Sequence, residues 1–378
     1  MRFSFTDEQQ QFRDFVRKFM EANSATTEVR RLMQTDDGYD KAVWQNLASS
    51  LGLAGLHIPE QYGGQGFGPV EVGIALEEMG RTLLCAPYLG SSVLATTAIL
   101  QAGSESDKEK LLPDLANGER LAALALAEPK GLWGSSGIEM IATPDQGRFL
   151  LNGVKSFVLD GLVADLIVVA ARLPNSSGDE GISCFIVRSD APGLDKRLLS
   201  TIDETRKLSI LTFTQVEAEP LGEIGGAAEA LQQTLNLSCI ALASEMVGGA
   251  QKLFENAIDY AKLRVQFGRT IGSFQAIKHK CADLLLDVEL AKSAAYYAAE
   301  AAADGAHDLR AIASLAKACA SDTYLRVAAA TIQIHGGIGF TWENDTHLYF
   351  KRAKSSEVLL DGPECHRENL IQHWGQLQ

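Results

Sequence analysis

The sequence predicts an α+β chain in three parts: an N-terminal α-helical domain over residues 1–120, a small β domain over 121–220 and a C-terminal four-helix bundle over 221–378. Three observations predict it. Apolar residues recur at helical spacing in the first part. Short runs of consecutive apolar residues, bounded by Gly, Pro, Asn and Asp, fill the middle. The last part holds three long, Ala-rich and nearly Pro-free stretches, 231–263, 274–303 and 308–334, which short turns would pack as an antiparallel bundle.

The elements follow in order. Thr6-Asp7-Glu8-Gln9 reads as a capping box ahead of Phe12, Phe15, Val16 and Phe19. Asp40 caps a second helix carrying Val43, Trp44, Leu47 and Leu51, and Pro59 to Gly66 is a loop by composition. Helical pattern resumes over Val70–Met79, Ser91–Gln101 and Asp107–Leu115. In the middle, Ala122–Ala127 ends at Glu128-Pro129. Arg148–Leu159 reads as a hairpin turning at Asn152-Gly153. Leu166–Ala171, Ile182–Val187 and Leu208–Phe213 read as buried strands. A final helix follows Pro363.

Bulk composition bounds the function. The 378 residues suffice for two or three domains. A formal net charge of −14 argues against a nucleic-acid partner, because phosphate binding needs a basic face. Lys262, Arg264, Arg269, Lys278 and Lys280 nevertheless form a local positive cluster, either a solvated helix face or an anion site. No apolar run is long enough to cross a bilayer, and the start, Met1 to Thr6, lacks the core of a secretion signal. The six cysteines, at 85, 184, 239, 281, 319 and 365, show no CxxC spacing and no metal framework. These observations place the chain in the cytoplasm, with Cys239 and Cys319 as small core residues.

Two motifs carry chemistry. Arg264-Val265-Gln266-Phe267-Gly268 offers a guanidinium, an amide and a ring. Gln333-Ile334-His335-Gly336-Gly337-Ile338-Gly339-Phe340 offers bare backbone. A guanidinium fork and glycine-opened amides both suit a pyrophosphate, so the pair points to a dinucleotide held at helix ends. Each also has a plainer explanation, a surface arginine and a helix C-cap. His335 either touches a phosphate or satisfies last-turn carbonyls. Ser238 lacks a nucleophile elbow. Tyr296-Tyr297 reads as helix packing.

In their order and spacing, Tyr62-Gly63-Gly64, Leu126-Ala127-Glu128-Pro129, Asn152-Gly153-Val154-Lys155, Arg264 to Gly268 with Phe274-Gln275, and Gln333 to Phe340 make the whole chain resemble the acyl-CoA dehydrogenase family. The resemblance implies FAD in an extended pose between the β domain and the bundle. It implies that Arg264, Gln266 and Phe267 reach the FAD of a neighbouring subunit, that Ile271, Phe274 and Gln275 line the adenine side, and that Gln333, Gly336 and Gly337 meet the pyrophosphate. Leu124, Leu126, Ala127, Phe157 and Leu159 would border the isoalloxazine ring. Shared cofactor implies at least a dimer, commonly a dimer of dimers. The implied reaction is α,β-dehydrogenation of an acyl-CoA. A dry carboxylate takes the α-proton, the flavin takes the β-hydride, and an electron-transferring flavoprotein accepts the electrons.

The chain departs from that pattern at the base. The gapless match to the family's usual Glu is Leu360, with Asp361 adjacent and directly before Gly362. The alternative base position, on the first bundle helix, is Ser238, and the substrate-side Arg beside it is Cys239. Glu245 lies two helical turns after Ser238 among small and apolar residues, as a base or as half of an ion pair. Glu245, Asp361 and the absence of any base in this chain therefore all stand open. Ala127 and Leu159 replace Thr hydroxyls that many members offer the flavin. Ser135 and Ser136, in a lengthened segment after Pro129, are candidate CoA or acyl contacts. Such departures resemble divergent bacterial members acting on bulky or branched acyl-CoAs, some of them heterotetramers of unlike subunits. Two further readings stay open: a non-catalytic partner completing a sister chain's site, and a nitroalkane-oxidising flavin oxidase with Asp361 as base.

Overall fold

A computed structural model of the chain describes residues 5–145 and 147–376, so the first four residues of the start lie outside it. The chain divides into two compact units. One holds residues 31–68 and 85–238; the other holds 1–30, 69–84 and 239–378.

The first unit is built around a sheet. Its strands are β1 (Ala122–Ala125), β2 (Ile141–Asp145), β3 (Arg148–Leu159), β4 (Leu166–Arg172), β5 (Ile182–Arg188), β6 (Leu194–Leu198) and β7 (Leu208–Leu221). The order is β1-β4-β2-β3-β7-β5, β6 adds to β7, and β5 also pairs with β4 from Leu166↔Arg188 to Arg172↔Ile182, so the sheet closes on itself. The closed face holds a core of Ile167, Val169, Phe185, Leu151, Leu211, Phe213 and Val216. The expected hairpin at Asn152-Gly153 is absent. Arg148–Leu159 is one strand, and the register slips there against β7 between Leu151 and Gly153. The reason is local. Gly153 takes φ 145°, and the Asn152 Oδ1 accepts the Gln215 amide at 2.9 Å, so this Asn-Gly makes a bulge rather than a reversal. β2 and β6 escaped the sequence reading because their exposed polar residues break the apolar runs.

The helical connections of this unit follow their caps. Asp40 accepts the amides of Ala42 and Val43 at the start of a short helix, Lys41–Gln45, which continues as one wide turn to Ser50. Ser104 and Asp107 form a second capping box ahead of Glu105–Ala116.

The second unit is helical. It contains Asp7–Asn23, opened by the Thr6/Gln9 capping box, and Pro69–Arg81, opened by a proline suited to a first turn. With them go the long C-terminal helices Gln275–Ala303, Leu309–His335, Thr346–Val358 and Pro363–Gln376. The longest helix, Ala228–Leu263, crosses the division at Ser238/Cys239. The sheet's first strand begins at Ala122 and its last ends at Leu221. Packing groups differently: two N-terminal helices belong with the C-terminal ones. Close approach is one cause. A Cβ on Gly248 would lie 1.8 Å from the Glu77 carbonyl oxygen, and one on Gly80 2.0 Å from that of Glu245, so the helices cross backbone on backbone. Charge is another. Arg13 pairs with Glu77 at 2.7 Å and Arg17 with Glu78 at 2.7 Å, while the Tyr296 hydroxyl donates to Glu77 at 2.9 Å.

Candidate functional site

In the sheet unit, Leu124 and Leu126 alternate with Ala123 and Ala125, which belong to the core; all four are buried. On β3 the register against β7 slips again between Lys155 and Val158, and Phe157 takes φ 57°. Its neighbours Ser156 and Val158 are buried while Phe157 remains 37% exposed, so the bulge holds an aromatic ring out of the sheet. Leu159 is buried. Ala127 and Leu159 bring no hydroxyl, so only main chain and apolar surface are available there.

Beneath this edge lies a buried cation that sequence reading noticed only as part of a motif. Lys155 is 0% exposed. Its Nζ donates to the Leu126 carbonyl at 3.0 Å and to Glu128 Oε1 at 2.8 Å. Burial pulls the ammonium down to about 8, opposed by the Glu128 charge. The same Glu128 oxygen accepts the amides of Glu139 and Met140, each at 2.9 Å. The Ser156 amide donates to the Ala127 carbonyl at 2.9 Å. Arg172 holds the far end of the segment by donating to the Ile138 and Gly178 carbonyls. Ser135 donates to Asp179, and Ser136 is exposed.

In the helical unit the two motifs of the sequence come together. Ala228–Leu263 runs into a two-stranded hairpin, β8 (Val265–Gln266) and β9 (Arg269–Thr270). Its turn residues Phe267 and Gly268 have φ 55° and 77°, the signature of a tight turn matched to strand twist. Phe267 is 92% exposed. Arg264 and Gln266 are exposed, and among the described residues their side chains make no hydrogen bond or ion pair. Ile271 and Phe274 are half-buried beside them, Gln275 is exposed, and the Arg269 guanidinium sits 4.0 Å over the Phe274 ring.

One turn before Arg264, Tyr260 stacks on His335 with ring centroids 4.2 Å apart. This contact, which sequence reading missed, places the hairpin beside the end of Leu309–His335. There Gly336 turns at φ 64°, and a Cβ on Gly336 or Gly337 would meet nothing within 4 Å. Gln333 is exposed next to them. His335 Nδ1 lies 2.8 Å from the Thr331 carbonyl, the helix-end role rather than the phosphate role. The result is one exposed surface with a free guanidinium, two amides, open backbone and an aromatic ring. That donor set fits the pyrophosphate and adenine of a dinucleotide.

The two carboxylates differ. Glu245 Oε1 is 2.6 Å from Arg352 Nη1, and both side chains are buried, at 7% and 5% exposure. Its environment is therefore that of an ion pair. Asp361 follows Leu360 in a turn where both take left-handed φ, 58° and 72°. Burial pushes the Asp361 carboxyl above its ordinary range, opposed by the positive charge of Lys317 and by the Cys365 thiol. The turn is held from below. Lys317, 0% exposed, donates to the carbonyls of Glu357 at 3.1 Å and Asp361 at 3.3 Å. His366 Nε2 lies 2.9 Å from the Leu360 carbonyl, toward which the Cys239 thiol also points at 3.9 Å. Burial, helped by the Lys317 charge, holds His366 down to about 4. The Ser238 hydroxyl is buried and has no hydrogen-bond partner among the described residues.

The apolar, ring-bearing edge of the sheet unit and the dinucleotide-type donor surface of the helical unit are each compatible with a flavin-dependent oxidoreductase. The chain belongs to the acyl-CoA dehydrogenase family: the models of its N-terminal, middle and C-terminal domains match residues 6–119, 123–216 and 226–374. It is 34% identical to acyl-CoA dehydrogenase IpdE2 of Mycobacterium tuberculosis over 94% of each chain. Among solved structures it resembles butyryl-CoA dehydrogenase from Megasphaera elsdenii, with a TM-score of 0.92 and 31% identity over 99% of this chain and 100% of that one. It also resembles the Tcur3481-Tcur3483 steroid ACAD, with a TM-score of 0.88 and 30% identity over 98% of each chain. The chain is accordingly an FAD-dependent oxidoreductase acting on acyl-CoA, in a family that is typically tetrameric. No described helix is long and apolar enough to cross a membrane.

Proposed function

We propose that this chain dehydrogenates a bulky, branched or ring-bearing acyl-CoA between Cα and Cβ, with Asp361 as the base. The observation that carries the reading is the Leu360-Asp361 turn. A strained backbone, clamped by the buried Lys317, carries a carboxyl whose proton affinity burial has raised. Strain of this kind, of order 1–3 kcal/mol per residue, persists where surrounding structure enforces it. A base of raised pKa is matched to the weakly acidic α-hydrogen of a thioester. Glu245 is the weaker candidate, because its carboxylate is spoken for by Arg352. Bound FAD supplies the hydride acceptor; this chain's residues bind, orient and take the proton.

The small residues Ser238 and Cys239 support a bulky acyl group, with the Cys239 thiol directed at the Leu360 carbonyl. Likeness to a steroid ACAD points the same way. The exposed surface of Arg264, Gln266, Phe267, Gln333, Gly336 and Gly337 supports a dinucleotide shared with a neighbouring copy or a sister chain. An electron-transferring flavoprotein is the proposed downstream acceptor, and Ser136 the remaining candidate for a CoA contact.

The test is turnover of butyryl-CoA and a sterol-side-chain or ring-bearing acyl-CoA by wild type and Asp361→Asn, each purified alone and with a co-expressed homologous subunit. Loss of a general base predicts a fall in kcat of about 10²–10⁴-fold with FAD retained. Undiminished turnover by Asp361→Asn removes Asp361 as base. If activity and yellow colour both require the second subunit, the non-catalytic partner reading takes its place. Oxygen consumption on a nitroalkane without an added acceptor would favour the oxidase reading.

A further inference from the structure

We propose that the buried Lys155–Glu128 ion pair is a positioning device for the flavin edge, setting where Leu126, Ala127 and Phe157 sit. The inference rests on the reading that these residues, with Leu159, border the ring.

A fully buried ammonium is costly and survives only where its partners are placed to offset desolvation. Lys155 has two: the Leu126 carbonyl at 3.0 Å and Glu128 Oε1 at 2.8 Å. What those partners belong to decides its role. Leu126 and Glu128 flank Ala127 at the open end of β1, and Lys155 opens the β3 bulge that turns Phe157 outward. One side chain thus ties together the two segments that would face the ring. Neighbouring bonds complete the tie, with the Ser156 amide on the Ala127 carbonyl and the Glu139 and Met140 amides on Glu128. The device has a chemical motive in this chain. Ala127 and Leu159 offer no hydroxyl, so a ring there depends on main chain and apolar surface held in fixed register. Main-chain donors cannot swing on a side-chain rotor, so their placement must come from below.

The experiment compares purified holoprotein of Lys155→Met, Glu128→Gln, the double variant and Leu159→Thr. Each is read by FAD dissociation constant, by position and fine structure of the flavin absorbance band, and by far-UV circular dichroism with a melt of the apoprotein. Glu128→Gln keeps an acceptor oxygen for the Glu139 and Met140 amides and removes only the charge. Leu159→Thr places a hydroxyl at the ring edge and tests the ring assignment itself. The expected result is a band shift in Leu159→Thr. Glu128→Gln and Lys155→Met should each raise the FAD dissociation constant about tenfold or more, because each breaks the buried ion pair from one side, with altered flavin fine structure. The double variant, neutral throughout, should recover part of the melting temperature but not the wild-type band. A purely structural pair would lower the apoprotein melt while affinity and band stayed at wild type; that result overturns the proposal. If Lys155→Met does not fold, Glu128→Gln alone decides by the same readouts. If Leu159→Thr leaves the flavin untouched as well, the ring assignment fails and the positioning role with it.

Discussion

At the scale of single residues, two carboxylates illustrate how environment assigns roles. Glu245 lies on a long helix and meets the buried Arg352 at 2.6 Å. Asp361 lies in a strained turn where desolvation raises its carboxyl. The expected consequence is a division of phenotype. Glu245→Gln removes one charge of a buried pair and should cost roughly 3–5 kcal/mol of stability, while folded enzyme keeps turning over. Chemical denaturation and kcat measured on the same preparation check this; a stable but inactive Glu245→Gln would transfer the base role to Glu245. The sequence had named both residues but had no means of choosing, because Arg352 lies 107 positions from Glu245 along the chain. Lys155 and Lys317 carried no signal of burial at all. A lysine in a strand or helix reads as a surface residue until its acceptors, here carbonyls and a carboxylate distant in sequence, are placed around it.

At the scale of elements, the Thr6 and Asp40 caps were legible because each depends on near neighbours. The Pro69 start and the Ser104 capping box are equally local but were not read. Asn152-Gly153 shows the limit: its residue types permit a reversal or a bulge, and pairing with β7 selected the bulge. Helix crossing is likewise a matter of partners. At Gly248 an added Cβ would stand 1.8 Å from a backbone oxygen of Pro69–Arg81, which has no side chain to yield. Gly248→Ala should therefore lower stability by about 1–3 kcal/mol or more, as overpacking does. Gly337→Ala, with nothing within 4 Å of the new methyl, should leave the melt unchanged and weaken FAD binding instead. Thermal melts with and without added FAD separate the two; equal loss of stability in both variants would contradict the close crossing.

At the scale of the whole molecule, each unit holds a histidine in surroundings that disfavour its charge, half-buried His57 and buried His366. His57 in the sheet unit is held down to about 4 by burial, and His366 in the helical unit to about 4 by burial and Lys317. Below its ordinary value near 6.5 each imidazole takes up a proton in the unfolded chain but not in the folded one. Unfolding is then favoured as pH falls. Stability should be full above about pH 6.5 and decline by a few kcal/mol as pH drops from 6.5 towards 4. Urea midpoints across that range test it. The slope should shrink in His366→Gln, and a flat profile in wild type would show that neither histidine stays neutral.

Periodicity and composition were enough to establish the order helices, sheet, helices, and the linear motifs were enough to indicate a dinucleotide and, through the family they resemble, a flavin one, because each motif depends on residues close together in the chain. The joining of Arg264 to the Gly336-Gly337 end through Tyr260 and His335, the pairing of Glu245 with Arg352 and the clamping of Asp361 by Lys317 depend on helices meeting side by side. Those contacts span tens of residues, and their energies come from burial and geometry that no local pattern encodes.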